Sequence, residues 1–503
     1  MHKLLILFLS LISLNAFANI CDQANLLDKL AVQSHGRVKP YLVASKEFLK
    51  TITDKSSHDK YTASEIFCLL SLNSLKSPES IDLSVKIEHI DTKKLLNMPE
   101  NAHERSVSSL VGSKDMIRAE IMRQKQSTSY KKSLNKLWYK IDQYEKALNG
   151  EFWTTPVVTN QEAIWTSAAT FLTLEDLESS GLEKLITNNK SFNELGSNSV
   201  SLEYKFSKSH IFDFAMLFAI IGIFFTVLIK KTNFGQSLAW IVILTEATGI
   251  AMRVMISGRA PITNMYETVL FSGFGALFIS LIIFQFKKDK IFILGGLAYN
   301  ILCLFMMKFA NGMLDEAISP LVPVLRDNFW LSTHVTTIIL SYAALALSWM
   351  LANMTLIKQR FGTLTMKDYR YYEGLIYTAI KVGIVMLAAG IILGGVWADY
   401  SWGRFWGWDP KETWSLIVLL FYMAVLHGKN TTWINTHRFI MLAAGGFMTV
   451  MMAWFGVNYI LASGLHSYGF SEGGAIFLGS FFILQTIVII ITGFNKVQKT
   501  KHA

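Results

Sequence analysis

From residue 210 the chain carries nine apolar stretches, at 211–229, 237–256, 265–286, 291–308, 333–357, 376–396, 413–428, 439–461 and 475–493. Crossing the hydrocarbon core of a bilayer takes about 20 apolar residues in a helix. So regular a series predicts an all-α polytopic membrane protein of about nine transmembrane helices; the seventh stretch is the shortest. Composition agrees. Of the 503 residues 51% are hydrophobic and only 17% charged, where a soluble domain has about 25% charged. Disorder, a coiled coil and a disulfide-dense secreted fold are excluded. The net charge of +10 does not imply nucleic acid, because Lys and Arg accumulate in the cytoplasmic loops of membrane proteins.

Residues before 210 read differently. Lys3, the apolar run Leu4–Leu14 and Ala16-Phe17-Ala18 have the form of a signal peptide over 1–18; an uncleaved anchor is the alternative. Asn19 and Ile20 before Cys21 disfavour a lipoprotein site. Residues 19–209 are rich in Lys, Ser, Asn and Glu and hold no long apolar run. They predict a mainly helical soluble domain outside the cytoplasmic membrane, with helices over Ala63–Leu75 and Asp115–Leu148. Cys21 and Cys68 could pair in that compartment, although spacing alone does not establish it. With Cys303 they are the only cysteines, and none forms C-x-x-C. The chain therefore has no thioredoxin-like motif and no haem-attachment motif of its own. It also lacks a phosphate-binding P-loop.

Lys and Arg give the orientation. With the N-terminal domain outside, nine spans put residues 494–503 in the cytoplasm. The inner segments then carry 14 Lys and Arg, among them Lys230, Lys231, Lys287, Lys288 and Lys290, and the short outer loops carry 5. That asymmetry is the positive-inside pattern.

The strongest local signal is Trp397–Trp414, where 5 of the 13 Trp fall within one predicted outer loop. Interfacial Trp often form an aromatic belt, but belts spread over many helix ends. Clustered indoles beside Gly403 and Gly407 also suit a large flat ligand, by stacking and area burial. Within the loop, Asp409-Pro410-Lys411-Glu412 reads as a capping box with Pro at the first helical position. Asp409 and Glu412 have ligand contact as their other reading.

Of 11 His, His334 and His466 fall on the same predicted outer side as the Trp loop. Neutral imidazole ligates haem iron, which can take two; two unrelated interfacial histidines are the bland alternative. His427 ends the seventh span, where an ionisable group more often faces protein than lipid; its alternative is an interfacial position beside Lys429. Glu246 and Arg253 lie on roughly one face of the second span. Arg253 and Arg259 could receive the carboxylates of a bound anion, or Arg253 could pair with Glu246.

Taken together, Trp402-Gly403-Arg404-Phe405-Trp406-Gly407-Trp408-Asp409-Pro410-Lys411-Glu412-Thr413-Trp414 resembles the WWD signature of haem-handling membrane proteins. Arg259–Glu267, His334-Val335 with Ser341-Tyr342-Ala343, Asn458-Tyr459 and Gly464–Gly469 are similar to segments of the CcsA (ResC) family of system II cytochrome c biogenesis. The resemblance covers about residues 210–493. It implies that His334 and His466 ligate haem iron, that the tryptophans Trp402, Trp406, Trp408 and Trp414 hold the porphyrin, and that His427 marks a haem entry route. It implies haem b as the bound substrate, and as partners a CcsB/ResB-like membrane protein, apocytochrome c and thiol-reducing thioredoxin-like proteins. Residues 19–209 have no spans and do not read as CcsB. Gly36-Arg37-Val38-Lys39-Pro40 looks like an element found ahead of CcsA modules in some relatives.

The function this implies is delivery of haem at the bacterial inner membrane and its covalent attachment to apocytochrome c, as a subunit of a synthase. Thiol addition to a vinyl group needs positioning more than acid–base chemistry, so no catalytic side chain is expected. The alternatives are a haem exporter that passes haem to a chaperone without ligation, and a non-catalytic membrane scaffold.

Overall fold

The computed structural model describes residues 20–461 and 474–493, apart from 56, 74, 76–80, 82, 127, 179, 197, 311, 322–326 and 363. The expected signal segment 1–18, His466 and the tail 494–503 lie outside the described residues. The chain divides into two compact units, one ending at Ser209 and the other beginning at His210.

The first unit mixes helices with three two-stranded antiparallel pairs, so it is less purely helical than its composition suggested. Strands β1 (Ala31–Ser34) and β2 (Arg37–Pro40) form a hairpin with Ser34 opposite Arg37. The two turn residues, His35 and Gly36, have φ of 50° and 78°, the left-handed backbone that a two-residue hairpin turn demands. Helix α1 (Tyr41–Thr53) follows and buries Tyr41, Ala44, Phe48, Leu49 and Ile52, spaced to make one helical face. Helix α2 (Ala63–Ser71) starts at a Thr62–Glu65 capping box. The helix expected over Asp115–Leu148 is two, Lys114–Arg123 and α3 (Ser129–Leu148). Thr128 interrupts it by accepting from Lys131 N at 3.2 Å, a capping bond that competes with continuing the helix. Helices α4 (Gly181–Glu194) and α5 (Asn198–Ser209) complete the unit. Cys21 and Cys68 form a disulfide, with Cα atoms 5.6 Å apart, and both are buried. The Gly36–Pro40 tract has a structural role here. Arg37 donates two bonds to Glu203 of α5, at 2.7 and 2.5 Å, and Lys39 bonds Glu47 of α1 at 2.5 Å.

The second unit contains helices α6 (Ile211–Val227), α7 (Thr232–Ser257), α8 (Met265–Lys287), α9 (Lys290–Phe309), α10 (Thr336–Phe361), α11 (Met366–Trp402), α12 (Pro410–Asn430), α13 (Thr436–Met451) and α14 (Gly474–Gly493). Each coincides with one apolar stretch. Eight helices among the described residues are long and apolar enough to cross a membrane, and α12 is the exception to the expected nine. Lys411 and Glu412 in its first turn, with Tyr422, His427 and Lys429, dilute a short central apolar run. Helix α10 is central, packing on α8, α11, α13 and α14. Its Ala343, Ala344, Ala346 and Ser348 are fully buried, since small residues let helices approach closely in a membrane.

Candidate functional site: an aromatic cavity bearing His334

The end of α11, the start of α12 and the turns flanking α10 and α13 enclose a cavity. Its lining includes His334, Tyr342, Trp397, Trp402, Phe405, Trp406, Lys411, Trp454 and the segment Ile262–Met265.

His334 lies on a π-helical turn, Leu331–Val335, at the entrance to α10. Asp327 starts this segment by accepting from Phe329 N and Trp330 N at 3.0 and 3.1 Å. Thr333 and Thr337 hydroxyls donate to carbonyls four residues back, each at 2.7 Å. Such turns insert a residue into the helix and recur at functional sites. The ring Nδ1 of His334 is 2.8 Å from the Gly390 carbonyl. A carbonyl only accepts, so Nδ1 carries a proton, and in the neutral form of the ring the lone pair sits on Nε2. A carbonyl bound to the far ring nitrogen in this way fixes the tautomer and orientation of metal-ligating histidines. The imidazole stands edge-on to Trp397, with centroids 5.7 Å apart. It lies against Gly394, where an added Cβ would come within 2.5 Å of Cε1. At Gly395 an added Cβ would meet the Phe405 ring at 2.5 Å. These adjacent glycines let both rings lie on α11.

The Trp segment is held by backbone and carboxylate bonds. Gly403 ends α11 at φ 68°, and Trp408 turns the chain again at φ 57°, a left-handed conformation that costs a bulky residue roughly 1–2 kcal/mol. Asp409 Oδ1 accepts from Glu412 N at 3.0 Å, and Glu412 Oε2 accepts from Asp409 N at 3.3 Å and from Gly407 N at 2.7 Å. That reciprocal pair is the capping box. Arg404 reaches Glu412 at 3.1 Å and lies over the Trp402 ring. Trp406 and Trp408 meet edge-to-face at 5.8 Å. The indole N–H groups of Trp397 and Trp406 are buried without an acceptor among the described residues, two donors suited to a ligand with acceptor atoms.

A second π-helical turn, Met452–Gly456, follows α13 and carries Trp454 into the cavity wall. Trp454 Nε1 donates to Thr268 at 3.2 Å.

Other sequence candidates lie elsewhere. Trp408 is exposed and Trp414 packs against the helix core; neither lines the cavity. His427 is exposed near the far end of α12, with Nδ1 2.8 Å from Met423 O. Arg253 does not pair with Glu246. It bonds Glu267 at 2.8 Å, both side chains being 2% exposed, and also the Glu316 carbonyl at 3.2 Å. Glu246 instead accepts from Asn300. Arg259 donates to the Ser319 carbonyl at 2.5 Å. Glu267 further accepts from Thr263 N and Oγ1 at 2.8 and 2.7 Å, so the Arg253–Glu267 pair anchors the segment that walls the cavity. Trp454 was missed because no motif surrounds it. Trp397 and Phe405 belong to the Trp-rich segment that the sequence singles out, and Gly394-Gly395 gives the close approach that brings His334 and Phe405 onto α11.

Fold and cavity together define a polytopic helical membrane protein with an aromatic, histidine-bearing site. A family model described as cytochrome C assembly protein matches residues 262–466. The chain is 33% identical over 298 residues to the cytochrome c biogenesis protein CcsA of Guillardia theta, covering 53% of this chain and 96% of that one. It is 37% identical over 224 residues to the CcsA protein of Chlamydomonas reinhardtii, covering 42% and 62%. It is 34% identical over 238 residues to Protein NrfI of Wolinella succinogenes, covering 46% of this chain and 26% of that protein. The chain belongs to the CcsA family of cytochrome c biogenesis proteins.

Proposed function

We propose that the chain binds haem b as a substrate in this cavity and presents it for covalent attachment to apocytochrome c, acting with a CcsB/ResB-like membrane partner. The observation that carries this reading is His334: an imidazole oriented by the Gly390 carbonyl, edge-on to Trp397, in a wall of large aromatic rings. Its Nε2 would ligate the iron, with His466 as the second axial ligand. Trp402, Trp406 and Phe405 would cover the macrocycle, and the buried Trp397 and Trp406 N–H groups suit the porphyrin carboxylates. His427 would serve haem entry at the opposite end of α12.

Bound haem supplies iron for the axial bonds and two vinyl groups for thioether formation with the thiols of a C-x-x-C-H segment. The side chains here orient the ring and exclude water, and positioning of this kind can supply up to about 7–11 kcal/mol of a barrier. No nucleophile from the chain is required. Thioredoxin-like reductants would keep the substrate thiols reduced.

The Cys21–Cys68 disulfide supports an oxidising compartment for the first unit. With the asymmetry of Lys and Arg, it favours a bacterial inner-membrane orientation with the Trp segment on the periplasmic side.

The test is the visible spectrum of the purified full chain. A bis-imidazole haem spectrum that a His334→Ala, His466→Ala double variant lacks is expected. A colourless wild type would refute haem handling. Co-expression with a CcsB-type protein and a reporter apocytochrome tests ligation. Covalent haem formed without this chain would sink the synthase role.

A further inference from the structure

Glu246 sits midway along the 26-residue helix α7, and Asn300 faces it from α9. Both are fully buried, and neither lines the cavity. Asn300 Nδ2 donates to Glu246 Oε1 at 2.8 Å. The two remaining polar atoms, Glu246 Oε2 and Asn300 Oδ1, are buried with no hydrogen-bond partner among the described residues. Each member of the pair is thus left with one unused oxygen, and with Glu246 ionised both oxygens are acceptors.

The groups around the pair do not neutralise a carboxylate. Arg253, seven residues further along α7, is bonded to Glu267 of α8. Asp213 of α6 and Lys308 of α9 bond each other at 2.8 Å. Cys303 and Tyr299 on α9 are near, and Tyr299 shares a 3.0 Å bond with Ser272 of α8. Burial of a bare carboxylate held by one amide bond is costly. A single added proton removes both the charge and the two unmet acceptors: a protonated carboxyl is a donor as well as an acceptor, and an amide can bond it twice.

We propose that Glu246 and Asn300 form an intramembrane proton-binding site, in which Glu246 carries a proton on Oε2 and donates it to Asn300 Oδ1 while Oε1 accepts from Nδ2. The ligand is a proton, and the site is independent of haem. Ionisable groups inside membrane helices are the usual elements of proton relays, and this one lies in the bundle formed by α6–α9.

The sign of the pH effect follows from linkage. The folded chain holds a proton that the unfolded carboxyl, with its ordinary value of about 4.3, has released at neutral pH. The folded-to-unfolded ratio therefore falls, by up to about tenfold per pH unit, as pH rises above that value until the folded site itself deprotonates. Glu246→Gln removes this contribution while preserving both bonds, because its amide donates where the carboxyl did.

The experiment compares detergent-solubilised full-length wild type, Glu246→Gln and Asn300→Leu. Denaturant unfolding is followed from about pH 5 to pH 8, and infrared spectra are recorded at neutral pH. A carboxylic-acid C=O band absent from Glu246→Gln is expected, shifted to higher frequency in Asn300→Leu. Glu246→Gln should be at least as stable as wild type at neutral pH, with a shallower loss of stability as pH rises. A wild-type minus Glu246→Gln difference spectrum in which the Glu246 signal is a carboxylate overturns the proposal. So does a tenfold or greater loss of folded population in Glu246→Gln, its failure to fold, or stabilisation of wild type alone by sodium, which would mark a cation site.

Discussion

Replacing Glu267 by Gln keeps the side chain's shape and removes its charge. Arg253 then remains buried at 2% exposure without the carboxylate that bonds Nη2 at 2.8 Å and Nε at 3.3 Å. The Glu316 carbonyl at 3.2 Å and the Tyr266 ring 5.2 Å from the guanidinium carbon, which also contact it, are uncharged. Removing one partner of a buried ion pair costs about 3–5 kcal/mol, and Glu267→Gln should fall in that range, since the amide oxygen can still accept from Thr263. Equilibrium unfolding of the full chain in detergent measures it. The double variant R253M/E267Q removes the stranded charge and should recover most of the loss, because apolar replacement of a buried pair is often neutral. A single variant within about 1 kcal/mol of wild type, or a double variant no better than the single one, would falsify the claim that this pair pins the cavity wall.

Gly394→Ala places a Cβ 2.5 Å from His334 Cε1; an overpacking cost of about 1–3 kcal/mol and an altered haem spectrum in a folded protein are expected, and an unchanged spectrum would remove His334 from the site. Asp409→Ala breaks the capping box at α12 and should cost about 0.5–2 kcal/mol, read by unfolding; no change would mean that Glu412 bonding to Gly407 N and Arg404 suffices. Cys68→Ser opens a disulfide of sequence separation 47, for which the chain-entropy relation gives about 4 kcal/mol; protease resistance of the first unit should fall, and more than the one free thiol of Cys303 in denatured, unreduced wild type would contradict the bond. Asp176 accepts from Thr173 N at 2.9 Å and from Lys184 at 2.9 Å, which holds its carboxyl down at about 2. Its contribution is present above the unfolded value of about 3.9 and is lost as pH falls toward 2. Asp176→Asn should remove that part of the acid sensitivity, as hydrogen exchange at residues 173–178 would report.

Some features were legible in the chain because they follow from local chemistry. Among the described residues each of the nine apolar runs is a helix, since burial of apolar length in lipid and helical hydrogen bonding coincide residue by residue. The Asp409–Glu412 capping box was readable because its bonds span three residues. α12 fell short as a span because polar residues occupy both its ends, which the sequence also displayed.

What depended on distant parts of the chain was not legible. Helical periodicity put Glu246 and Arg253 on one face but could not show that Glu267 and Asn300, on other helices, would take them as partners. The orientation of His334 comes from a carbonyl 56 residues away, and Trp454 reaches the cavity only through a π-helical turn. The sequence alone determined the helical lengths, their caps and the aromatic content of one loop, through interactions within a turn or two of helix. Tertiary structure alone decided which charges neutralise each other and which rings share a cavity, because those choices depend on how helices far apart in the chain pack.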